Sequence, residues 1–329
     1  MGLVNGYYLH LGGAEVTFLV RPAKKAASAP PALLYCYDDG ELKTFDGYGL
    51  EDDVADLEGK AFDYAIVTLD FALCVSADGI ALLKALGRMF ADTNTVVVIG
   101  GVGIGLREHF IRTTGLPEER IVNGCLALLS HQPSANLPVH APTDPAMLAR
   151  SRMAYRHLSG ISLVVDDMFP EVAATLAEIY GRSGKSSCAV IARSQLAVMT
   201  NSAFPVLAAA EIAGWISMKE LTEQGELWTL SCEARREVAS LPEFGMADDV
   251  IAQTMSDEAL PVMQIETEQA CLPLDYQAFN HFHHGGKVSA QDLEVMRDCA
   301  RAGERLGRPM AALNTIIGRL EQVRATAIG

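Results

Sequence analysis

The chain has 329 residues, half of them hydrophobic and a fifth charged, a globular composition long enough for about two domains. This excludes disordered, collagen-like and small disulfide-stapled proteins. Lys plus Arg total 26 against 41 Asp plus Glu, a formal net charge of −15, so phosphate backbones and anionic lipid are repelled, and neither nucleic acid nor membrane is expected as a partner. The seven cysteines are widely spaced with no C-x-x-C, against both a disulfide framework and a structural zinc site. The opening MGLVNGYYLH is no signal peptide. The longest apolar run, residues 204–218, is too short to span a bilayer and contains Glu211. A reducing cytoplasm is the expected setting.

Residues 2–11 can be helical and Gly12-Gly13 stops them; residues 16–20 (VTFLV) form a short strand. Residues 33–37 and 42–45 flank Asp38-Asp39-Gly40, a hairpin signal. YAIVTL over 64–69 and TVVVI over 95–99 are buried strands, with helical spacing over 77–90 between them. A glycine-rich run, 100–105, follows. Residues 121–130 and 160–165 are further strands, and 169–180 an amphipathic helix. Apolar strands separated by helices predict an α/β domain with a mostly parallel, two-sided sheet. Past the turn-rich GRSGKSS of 181–187 the pattern becomes helical, over 192–216, 225–239, 247–255 and 293–325.

A helix, a Gly-Gly turn and a strand leading to Arg21 is the order found after the first strand of a nucleotide-binding βαβ unit. GLVNGYYLHLGGAEVTFLVR, YAIVTL, VVVIGGVG and LPLDYQAFN, in that order, resemble the ketopantoate reductase family. The resemblance implies a Rossmann-like dinucleotide-binding domain over 1–185, a helical domain over 186–329, and an active site in the cleft between them. The first strand of the Rossmann-like sheet is missing, and the chain reads as though it begins inside G-x-G-x-x-G, with Gly2 as the last glycine. Two readings stay open: Met1 is an internal methionine of a longer chain, or dinucleotide binding is impaired. The resemblance also implies NADP as cofactor, with Arg21 on its 2′-phosphate, Lys24 and Lys25 adding charge nearby, and Gly100 and Gly101 bordering the nicotinamide and substrate. The alternatives are a solvated basic turn and a tight strand-to-helix turn. Asp70 stands where the family often has a Lys that reaches the cofactor.

Four positions depart from the family's catalytic set. Gly100-Gly101 replaces Asn-Gly, Arg193-Ser194-Gln195 covers the place of the Lys, Pro261 replaces a Ser and Pro273 a Glu. The usual mechanism therefore does not transfer. With Pro273 in the first turn of a helix, Gln277, Asn280 and His284 share its direction, while Leu274, Ala278 and Phe282 face a core. Asn280, His284 and Lys287 are accordingly the candidate catalytic residues, His284 as a proton donor and Lys287 orienting a carboxylate. The alternative is a helix end capped by histidine. His281, His283 and His284 have no partner at a recognised zinc spacing, so no metal is expected. Thr200, Asn201 and Ser202 either line the cleft or bond their own helix. The expected function is an NADP-linked oxidoreductase acting on a small carbonyl or 2-keto acid substrate other than, or besides, ketopantoate. The alternative is a catalytically degenerate relative that binds a small ligand or a protein. A homodimer is admitted by the residues without being required.

Overall fold

Strand β6 (Val96–Ile99) is buried on both faces, which is why its sequence is an unbroken apolar run. Val96 and Val98 enter a core with Val4, Tyr8, Leu163, Leu176 and Tyr180. Val97 and Ile99 enter a second core with Leu83, Phe90 and Phe110. Each such side chain removed from water contributes about 1.5–3 kcal/mol. The computed structural model describes residues 1–244, 256 and 258–328, and divides into two compact units, Met1–Ala192 and Arg193–Gly329.

The first unit carries the strands. β6 lies in a five-stranded sheet with β5 (Tyr64–Val67), β7 (Ile121–Leu126), β10 (Ile161–Asp166) and β11 (Ser187–Ile191), in the order β11-β10-β7-β6-β5. All neighbours are parallel except β7 and β10. β1 (Val16–Leu19) and β4 (Tyr48–Glu51) form a separate parallel pair. The hairpin β2 (Ala32–Cys36) and β3 (Glu41–Phe45) belongs to a four-stranded sheet with β8 (Leu129–His131) and β9 (Met153–Arg156), in the order β3-β2-β9-β8. Among the described residues β1 pairs with β4 alone and β5 with β6 alone. The first helix, Gly2–Leu11, packs beside both: a Cβ on Gly6 would lie 2.4 Å from the Phe18 ring, and one on Gly2 would lie 3.1 Å from Thr68 Oγ1.

The second unit is helical among its described residues. The helix Glu226–Ala239 packs on Phe204–Ile212 and Ala311–Ile328, burying Trp228, Val238, Ala209, Leu313 and Ile316. Seven further segments complete the described part: Arg193–Asn201, Met218–Thr222, a 3-10 turn Pro242–Phe244, Ala259–Cys271, Tyr276–Phe282, a π-helical turn His283–Lys287, and Ser289–Arg305. No helix among the described residues is long and apolar enough to cross a membrane. None of the seven cysteines, all within the described residues, is in a disulfide.

Several sequence expectations are corrected here. The single helix expected over 293–325 is two, because the chain reverses at Gly307 and Met310, both with positive φ. The stretch 192–216 is likewise broken into Arg193–Asn201 and Phe204–Ile212. The strand expected over 121–130 is two strands in different sheets. β11 lies beyond residue 185 and pairs with β10, so the sheet extends past the expected end of the first domain. Pro273 is not in a first helical turn; the helix starts at Tyr276, with the Asp275 side chain accepting from Ala278 N at 2.9 Å. The helix expected over 247–255 lies outside the described residues.

Candidate functional site

In the second unit the expected face does not arise by continuing one helix. Asp275 caps the start, Tyr276–Phe282 is α-helical, and His283–Lys287 widens into a π-turn closed by Val288 N donating to His283 O at 2.8 Å. Such turns re-aim side chains and recur at functional sites. Gly285 makes the turn possible: a Cβ there would lie 2.9 Å from the His281 ring and 3.0 Å from Trp215. The result brings His284 onto the next helix. Its Nδ1 lies 2.7 Å from Asp292 Oδ2, with the two side chains 22% and 7% exposed. Burial pushes the Asp292 carboxyl up, and the His284 hydrogen bond and the Arg324 charge pull it partly back.

The three histidines have separate environments. His281 stacks on Trp215 at 5.8 Å between centroids. His283 stacks on Phe279 at 5.7 Å and meets the His284 ring edge-on at 4.8 Å. Burial, the neighbouring His284 and Lys287 push His283 down to about 3, so it is neutral at physiological pH. Asn280 is 3% exposed; its Nδ2 makes no well-formed hydrogen bond among the described residues, though its side chain interacts with the Tyr276 hydroxyl. Gln277 Nε2 donates to Glu268 Oε1 at 2.7 Å, leaving its own oxygen unpaired. Lys287 is exposed. Unpaired buried atoms therefore gather in one stretch: Gln277 Oε1, Asn280 Nδ2, His283 Nδ1 and Asp292 Oδ1. Buried polar atoms are almost always paired, so such a concentration marks a place for a polar ligand or ordered water. Thr200 and Asn201 bond back to their own helix, at Leu196 O and Ala197 O, both 2.8 Å.

In the first unit, the ends of β5 and β6 and the start of the first helix lie together. Gly2 abuts Thr68; a Cβ on Gly100 would lie 2.9 Å from Val67 O, and one on Gly101 3.0 Å from Leu69 O. These glycines let backbone approach backbone. The first helix has no side-chain cap at its N-terminus, leaving first-turn N–H groups able to receive an anion. Arg21 and Lys24 are exposed and make no ion pair among the described residues, whereas Lys25 is held by Asp52 at 2.6 Å. Asp70 caps its own helix, accepting from Leu73 N at 2.8 Å. Its carboxylate is thus committed locally.

Asp292 is the residue that sequence reasoning missed. It stands in the first turn of Ser289–Arg305, eight positions beyond His284. On one straight α-helix eight residues span about 12 Å, so no periodicity argument joins the two. The available signal was Gly285-Gly286 followed by an acidic residue in the next first turn.

At the level of sequence, no family model matches the chain and no curated protein does. Solved structures do match over nearly the whole length. The 2-dehydropantoate 2-reductase of Geobacter metallireducens has a TM-score of 0.69 at 15% identity, over 98% of this chain and 96% of that one. D-mandelate dehydrogenase, solved with NADH and anilino(oxo)acetate, has a TM-score of 0.66 at 14% identity, over 99% and 96%. A dimeric ketopantoate reductase of Staphylococcus aureus has a TM-score of 0.61 at 11% identity, over 99% and 95%. The chain thus has the ketopantoate reductase fold, an N-terminal Rossmann-like α/β domain followed by a helical one, at a sequence distance where fold is what the likeness establishes.

Proposed function

We propose that this chain is a nicotinamide-dependent oxidoreductase that reduces a small carbonyl compound, with a 2-keto acid other than ketopantoate as the preferred class. The observation that carries the reading is the half-buried His284 imidazole, held through Nδ1 by Asp292 beside buried Asn280. In its protonated form an imidazolium so held presents Nε2–H as a proton donor to a carbonyl oxygen, while Nδ1–H stays on the carboxylate. Two solved neighbours support the substrate class: one is a 2-dehydropantoate reductase, the other a mandelate dehydrogenase bound to an oxoacetate.

The residues present fit a dinucleotide's phosphates in donor chemistry. The uncapped first-helix N-terminus at Gly2 and the unpaired Arg21 and Lys24 supply N–H groups and positive charge. Arg21 suits a 2′-phosphate and makes NADP the expected cofactor, with Gly100 and Gly101 bordering it. Bound in its reduced form, the nicotinamide supplies a hydride. His284 gives the Nε2 proton to the carbonyl oxygen and becomes a neutral imidazole, its Nδ1–H still donated to Asp292. Asn280 Nδ2 is the unpaired donor available to orient the carbonyl or carboxylate, and exposed Lys287 provides a countercharge. A homodimer is part of this reading, by analogy with the dimeric neighbour.

A second reading, a catalytically degenerate ligand-binding relative, is favoured by one observation. Gly2, Gly100 and Gly101 are each explained by close packing on Thr68, Val67 O and Leu69 O, with no ligand required. The decisive assay follows NADPH consumption with a panel of 2-keto acids including phenylglyoxylate and ketopantoate. Turnover of at least one acid, lost in His284→Ala, supports the reductase. Binding of a 2-keto acid without any NADPH consumption supports the second reading.

A further inference from the structure

We propose that Asp292 is the positioning residue of His284, fixing its ring as the tautomer with hydrogen on Nδ1 and leaving Nε2 as the working nitrogen. The proposal deepens the reductase reading and rests on it for its catalytic consequence, though not for its structural one. The 2.7 Å contact between His284 Nδ1 and Asp292 Oδ2 is made across a helix junction. The π-turn builds it, and Gly285 eases the turn, because a Cβ there would crowd the Trp215 and His281 rings. A histidine merely capping a helix end would bond the last carbonyls of its own turn; this one bonds a carboxylate on the following helix.

The surroundings do not compete for the Asp292 oxygen that holds His284. Arg324, the nearby cation from the last helix, is already held by both oxygens of Glu211 at 2.7 and 2.8 Å and donates to Ser289 O at 3.0 Å. Besides His284, the Asp292 carboxylate interacts with the Gln291 side chain, and neither this nor Arg324 displaces the 2.7 Å contact to His284 Nδ1. On the turn itself, His283 stacks on Phe279 and meets His284 edge-on, offering no competing bond to His284 Nδ1. A ring nitrogen held by a carboxylate fixes the other nitrogen's role.

The test is long-range 1H–15N correlation of the histidine rings in the full chain at alkaline pH. The expected spectrum shows His284 protonated on Nδ1. In Asp292→Asn, whose amide can accept or donate, the signal shifts toward the Nε2–H form. A wild-type ring protonated on Nε2 overturns the proposal, and so does a spectrum unchanged in Asp292→Asn. Where that variant fails to fold, the wild-type spectrum alone decides. In the reductase assay Asp292→Asn lowers kcat on the order of 10- to 100-fold with KM little changed. An unchanged kcat in a chain that His284→Ala inactivates overturns the catalytic role. If neither variant alters turnover, the reductase assignment of this site fails, and the ring spectrum still decides the Asp292–His284 relation.

Discussion

Two imidazoles, one in each unit, show how similar polar groups serve different ends. His157 in the first unit is 8% exposed, and its Nε2 lies 3.2 Å from Ser162 Oγ and 3.4 Å from Ser186 Oγ, both serines buried and 2.6 Å apart. Asp38 stands beside it and accepts from the His157 backbone N at 3.0 Å, not from the ring. Serine, histidine and aspartate thus meet in a closed and saturated cluster, with Tyr8 tilted over the ring at 4.8 Å. His284 in the second unit has a carboxylate on its ring, reaches the surface, and lies in a stretch of chain that carries several buried atoms without partners. The lesson is that residue types alone do not mark a site. Saturation and access separate a buried network that specifies the fold from one that awaits a ligand.

The largest expected effect that sharpens this contrast is on turnover. His284→Ala should lower kcat on the order of 100- to 10,000-fold, the usual contribution of a positioned general acid, while His157→Ala leaves the turnover of folded protein unchanged. Equal loss in both variants would break the distinction. Next in size is stability. His157→Ala strands two buried hydroxyls and opens a cavity, and should cost about 2–4 kcal/mol. Scanning calorimetry should show a lowered Tm for the first unit, while tryptophan emission, which comes only from Trp215 and Trp228 in the second, reports that unit unchanged.

The same contrast between paired and open groups separates two basic residues. Arg21 is open and Lys25 is held by Asp52. Calorimetry should show Arg21→Ala weakening NADPH binding by about 1.5–3 kcal/mol, as for a charge-assisted pair, and leaving NADH unaffected. Lys25→Ala should change little. Equal affinity of the wild type for both cofactors would remove the argument from Arg21.

The effect smallest per unit change of condition is the acid limb of stability. His131, His157 and His283 all have their folded pKa lowered, chiefly by burial. Their contribution is therefore present above the unfolded value of about 6.5 and lost as pH falls toward the folded one. For His283 the window runs down to about 3, with a slope of at most about 1.4 kcal/mol per pH unit. Asp292 opposes this, because a carboxyl raised in the folded state binds protons more tightly there. Urea unfolding followed by tryptophan emission should show the second unit weakening below pH 6.5, and His283→Phe should flatten that dependence.

The strands most legible in the sequence were those whose burial is two-sided. β6 and β10 read as apolar runs because almost all of their residues are buried, β5 read as one although most of it is only half-buried, and Asp38-Asp39-Gly40 announced its hairpin through local turn chemistry. The helix ending at Gly12 was legible for the same local reason. β4, β9 and β11 were not, because each is mixed in burial and each pairs with a strand distant in sequence. At the candidate site, His284 and Asn280 could be singled out from residue type and helical spacing. The Asp292 contact could not: a 3.6-residue period carried through Gly285-Gly286 places it about 12 Å away. Local preference and burial pattern are written along the chain and can be read there. Which open polar groups finally meet depends on a π-turn, a missing Cβ beneath Trp215 and the packing of the next helix, and only the folded chain brings those together.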